Sequence, residues 1–170
     1  MSIEAEAGRD HLRRFVDAQR RSVLAIVDGL TDDQLREPVL PSGWTPVGMV
    51  LHLAVMERFW FQRVMTGRSS RFPWPDDRSG DERVEPFTTG HPAADVLDFY
   101  REQGRIADRV MAETHLSTPP ALTDLPPALA VLATNLHTIA LHVLEETARH
   151  AGHLDAAREL LDGRTGLGPR

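Results

Sequence analysis

The chain has 170 residues, a net charge of −6 and no cysteine. That length suits one domain, residues 1–170, with a core that needs no disulfide; without thiols there is no disulfide, no thiolate metal site and no cysteine nucleophile, so any metal must be held by His, Asp or Glu. The acidic balance, with no basic stripe interleaved with aromatics, argues against nucleic acid, and no apolar run approaches the ~18 residues of a membrane span.

The opening MSIEAEAGRD lacks the basic start and apolar stretch of a signal peptide, so a cytoplasmic protein is expected. The first helix is predicted over about Glu6 to Asp28, with Leu12, Phe15, Val16, Val23, Leu24 and Val27 at helical spacing and Gly29 as its stop. A short helix follows in TDDQLREP, with Thr31 as N-cap and Pro38 ending it. The second long helix lies in PSGWTPVGMVLHLAVMERFWFQRVMTG, with Thr45 as N-cap, Pro46 at its first position and Gly67 past its end. It is apolar around much of its circumference, as a helix buried among others would be. From Arg68 to Pro92 a connection rich in Pro, Gly, Ser and Asp carries Phe72, Trp74 and Phe87, aromatics expected to order it.

The third long helix spans about Ala93 to Thr114, with Val96, Leu97, Tyr100, Ile106, Val110 and Met111 inward. After the Pro-rich LSTPPALTDLPPALA, the last helix begins near Thr134 or Asn135 and ends before Gly163. No segment has strand periodicity. The expectation is an all-α protein: a four-helix bundle with long irregular connections.

The last helix contains EETARHAGHLD. Glu146 and His150 are one turn apart and can chelate one ion. His142 lies a further turn back, and His153 three residues on. The bland alternative is a surface pair contributing a few tenths of a kcal/mol. His52 stands among Val50, Leu51, Leu53 and Val55 in the second long helix, and a buried imidazole needs a partner. If these two helices face each other, His52, Glu146 and His150 converge as two imidazoles and a carboxylate, which leaves coordination positions open for water or substrate. The same three residues could instead form a metal-free hydrogen-bond network. His11, His91, His115 and His137 are weaker candidates, and HExxH, GxSxG and glycine-rich phosphate-loop motifs are absent.

SGWTPVGMVLHLAVMERFWFQRV, followed much later by LHVLEETARHAGHLDAARELLDGRTG, resembles the DinB superfamily and, more narrowly, its mycothiol-transferase branch. The resemblance covers nearly the whole chain. It implies a DinB-like four-helix bundle, often dimeric, with a divalent metal held by one His of the second long helix and two residues four apart on the last. By motif match these are His52, Glu146 and His150. Many relatives carry His-x-x-x-His at the last two positions, whereas Glu146 stands first here, as in the related maleylpyruvate isomerases. Those isomerases have an additional C-terminal domain, so isomerase activity is not expected of a chain ending at Arg170. The resemblance implies zinc first, with nickel, iron or manganese as alternatives, and a low-molecular-weight thiol such as mycothiol as cosubstrate. The activity implied is S-transfer onto small electrophiles in detoxification or stress response, in a homodimer. His142 and His153 would place a water or substrate or orient a ligand. The rival is a non-enzymatic metal- or ligand-binding module of the same fold.

Overall fold

The computed structural model describes residues 3–74 and 87–166, with side chains from residue 8 onward. The expected 68–92 connection therefore lies partly outside the described residues, at 75–86. The secondary structure of the described residues is entirely helical. In order it forms α1 (Ile3–Val27), α2 (Asp32–Arg36), α3 (Pro46–Glu57) continued by a π-helical segment (Arg58–Val64), α4 (Ala93–Glu113), α5 (Pro127–Ala130) and α6 (Leu136–Asp162). Among the described residues there is no strand.

Local chemistry accounts for most boundaries. The Thr31 hydroxyl accepts the Gln34 N–H and the Gln34 side chain accepts the Thr31 N–H, a reciprocal cap that starts α2. The Thr45 hydroxyl accepts the Gly48 N–H at 3.2 Å, with Pro46 preset in the first turn of α3. Asn135 and Thr138 cap α6 in the same reciprocal way, and Gly163, at φ 77°, ends it in the left-handed region.

The core stripe of α1 is Leu12, Val16, Val23, Ile26 and Val27. Phe15, expected inward, is instead 62% exposed. It is one residue, about 100° of helical rotation, from the buried Val16. Leu24 is half-buried on the flank. On α4, Val96, Tyr100 and Met111 are buried together with Phe99, Gln103 and Ala107, while Leu97, Ile106 and Val110 flank them half-buried.

Two features of this fold did not follow from periodicity. The helix from Pro46 widens into π geometry over Arg58–Val64, which turns Trp60, Phe61, Gln62 and Val64 into the core. Gln62 is satisfied there: its amide donates to Gln103 Oε1 at 2.6 Å and accepts the Ser70 N–H at 2.7 Å. The second feature is α5, a single turn within the Pro-rich connection.

Buried charges join the long elements. Arg20 of α1 donates to both carboxylate oxygens of Glu57 on α3, at 2.7 and 2.8 Å, and to Asp108 of α4 at 2.7 Å. Burial pushes the Glu57 carboxyl up, and the Arg20 guanidinium opposes that shift. Arg158 of α6 donates to the carbonyls of Ile26 and Asp28, both at 2.7 Å, and thereby caps the end of α1. Phe87 is seated on the start of α3: its carbonyl accepts the Thr45 N–H at 3.0 Å. A Cβ on Gly48 would overlap the Phe87 carbonyl, so only glycine permits this approach.

Glu57→Ala leaves Arg20 without its fully buried partner and should cost ~3–5 kcal/mol in urea unfolding. Asp108→Ala, at the one-third-exposed arm of the same cluster, should cost at most ~1 kcal/mol; equal losses would show that the bidentate buried arm does not dominate. Gly48→Ala should cost ~1–3 kcal/mol by forcing Phe87 off α3, and an unchanged midpoint would show that the 87–90 segment is not held there.

Candidate metal centre

α3 and α6 pack against each other, and the juxtaposition brings three of the sequence candidates together. Ligating atoms of His52, Glu146 and His150 all lie within 4.8 Å of one another. His52 projects from the apolar α3, where Val50, Leu51 and Leu53 are buried on either side. Glu146 and His150 are stacked one turn apart on α6, with His150 Nε2 3.3 Å from Glu146 Oε2. The other carboxylate oxygen, Oε1, takes an ion pair from Arg149 at 3.2 Å. The two oxygens thus have separate partners, one the His150 imidazole and one a guanidinium at the rim.

The rings of His52 and His150 meet edge-on at 5.0 Å and 80°. Phe87 covers His52 on one face, with centroids 4.0 Å apart and planes at 16°. It also meets His150 edge-on at 6.0 Å. Burial lowers the His52 pKa to about 4, and the neighbouring His150 lowers it further while Glu146 opposes. Burial likewise lowers His150, against the pull of Glu146. Both imidazoles therefore carry free lone pairs at neutral pH, the form a metal requires.

The donor set fits a divalent cation. Zinc–nitrogen and zinc–oxygen bonds of about 2.0–2.2 Å place ligand atoms of one tetrahedral shell roughly 3.3–3.5 Å apart. The Glu146–His150 pair already has that spacing. A ligating nitrogen of His52 lies within 4.8 Å of both. Three protein donors leave part of the shell open.

His142 and His153 sit differently from each other. His142 is half-buried with its ring edge-on to Trp60 at 4.9 Å and 78°, and burial lowers its pKa. It stands outside the three-residue convergence. His153 is exposed, and its Nδ1 approaches Nδ1 of His150 at 3.4 Å.

The remaining histidines serve elsewhere. His91 stacks on Trp74 at 3.9 Å, and His115 bonds Ser117 at 2.7 Å just beyond α4. His11 and His137 are exposed. Phe72 and Trp74 pack toward Phe99 of α4, so the aromatic that reaches the centre from this connection is Phe87. Sequence reading named Phe87 only as an anchor and overlooked Arg149 and Trp60. Arg149 was discoverable as the i+3 partner of Glu146; Trp60 was not, because the π segment sets its direction.

A groove of about 580 Å³ elsewhere, between α1 and α4, is lined by Arg20, Arg21, Arg101 and Asp108 among others. Its rim arginines pair with aspartates of their own helices, Arg21 with Asp17 and Arg101 with Asp98. It reads as a solvated charged face rather than as the chemical centre. No described helix is long and apolar enough to cross a membrane.

No curated protein and no solved structure gives a significant match to the chain. A family model does: that of the mycothiol-S-transferases matches residues 11–163, a span that contains all of α2 to α6 and every residue of the His52–Glu146–His150 cluster. The chain belongs to the mycothiol-S-transferase family, a DinB-like group.

Proposed function

We propose that the protein is a divalent-metal-dependent thiol S-transferase, with His52, Glu146 and His150 as the metal ligands and mycothiol as the thiol. The observation that carries this reading is the convergence of two neutral imidazoles and one carboxylate on facing helices, inside the matched span of a mycothiol-S-transferase. Zinc is the first choice, because it is redox-inert and suits imidazole with carboxylate; nickel, iron and manganese also accept this donor set. The setting we propose is a cytoplasmic homodimer of one-domain chains, each a DinB-like four-helix bundle, acting on small electrophiles in detoxification or stress response.

A bound divalent cation would supply Lewis acidity that makes a thiol ionise near neutral pH. The chain's own residues supply the rest. His52 and His150 stay unprotonated through burial. Glu146 contributes the one negative charge of the set, and Arg149 holds its outer oxygen. Phe87 closes one face of His52 against water, which strengthens electrostatic interactions inside. Arg149 and His153 form an exposed polar rim, past which a polar thiol would approach.

Metal content decides the first half of this proposal. Protein purified without a histidine tag or added metal should hold about one equivalent, and His150→Ala should hold little while remaining folded, a loss beyond the ~10–100-fold that an outer partner costs. Comparable traces in both would remove the metal and leave a buried hydrogen-bond network.

Thiol consumption decides the second half. Saturable turnover of mycothiol with a panel of electrophiles, abolished by a chelator and restored by zinc, is the expected result. Metal binding without turnover would instead identify a non-enzymatic binding module.

A further inference from the structure

His150 turns its two ring nitrogens to different partners. Nε2 lies 3.3 Å from Glu146 Oε2, whereas Nδ1 lies 3.4 Å from Nδ1 of His153. A neutral imidazole can give a cation the lone pair of one nitrogen only when its proton sits on the other. If Nε2 is the donor atom, the proton must be on Nδ1, and that N–H requires an acceptor to hold the ring in place. His153, three residues on and therefore on the same face of α6, offers a lone pair at that point.

We infer that His153 is a positioning residue for His150: it accepts the Nδ1–H and holds His150 in the form whose Nε2 can bind a cation. This deepens the metal-site reading and rests on it. The pair can run in either direction. When His150 carries its proton on Nε2, toward Glu146, its Nδ1 accepts from Nδ1–H of His153. Exchange to the cation-binding form moves the shared proton from His153 to His150. The proton leaving His150 Nε2 is balanced by one taken up from water at His153 Nε2. The two rings hold two protons in both forms. An imidazole can reverse its role in this way, as can an amide, whereas a methyl group cannot.

The test is zinc affinity, measured by competition with a chromophoric chelator, for the parent, His153→Ala and His153→Gln. The unfolding midpoint of each metal-free protein is measured beside it. His153→Ala should lose ~10–100-fold in affinity, and His153→Gln should stay within a few-fold of the parent. The metal-free midpoints should coincide, because His153 is exposed. An alanine variant with parental affinity overturns the inference. So does a glutamine variant as weak as alanine, since restoring an acceptor would then restore nothing. A parent that binds no zinc overturns the metal-site reading beneath it, an outcome distinct from either.

Discussion

The buried Arg20–Glu57–Asp108 cluster is the constraint from which the rest of the structure takes its register. Arg20 reaches from α1 to both oxygens of Glu57 and to Asp108 on α4, so one guanidinium sets the levels of three helices. A sliding displacement of α3 by one residue would strand two desolvated charges, which hydrophobic packing alone would not forbid so strongly. His52 lies five residues before Glu57 on the same continuous helix, and its height is therefore set by that pairing. On the opposite side, Arg158 locks α6 to the end of α1 through the Ile26 and Asp28 carbonyls. Glu146 and His150 inherit their height from that contact. The two halves of the candidate centre are thus registered through α1, a helix that contributes none of the three residues.

The centre is polar, yet it is built against apolar structure that controls its protonation. His52 has buried neighbours on α3 and the ring of Phe87 on one face. The same desolvation that makes a proton costly leaves the lone pairs available. Holding Phe87 there depends on backbone rather than on side-chain packing alone, through the Thr45 N–H and the missing Cβ of Gly48. The cap that begins α3 is consequently also the seat of the wall over His52.

What the sequence made legible follows from how local each signal is. Caps and stops are local chemistry, so Thr31, Thr45, Asn135 and Gly163 located their helix ends within a residue or two. Glu146 and His150 were readable as a pair because a helix puts residues four apart on one face. His52 joined them only on the supposition that two helices face each other and, separately, through the family resemblance. Neither route could reveal Phe87 over His52, since its approach depends on a backbone contact 39 residues away in sequence, at Gly48. The π segment escaped as well, because its apolar residues fit ordinary helical spacing equally well, and the inward turn of Trp60 escaped with it. Phe15 misled for a simpler reason: an apolar residue beside a stripe is not on it, and a single exposed one carries no penalty large enough to forbid it.

The carboxylate at position 146 bears on the chemistry through charge. Two neutral imidazoles and one carboxylate around a divalent cation leave a net charge of plus one. In the proposed transferase, that residual charge would favour an anionic sulfur over a neutral thiol in a partly desolvated setting. A third imidazole in place of Glu146 would leave plus two around the same cation, a larger charge to desolvate. Arg149 moderates the effect of the carboxylate by engaging its outer oxygen, so that the oxygen facing His150 is less electron-rich than that of a free carboxylate. In the proposed transferase, the pair Glu146–Arg149 would tune how strongly a bound cation favours an ionised sulfur, and His52 and His150 would complete the set that holds the cation.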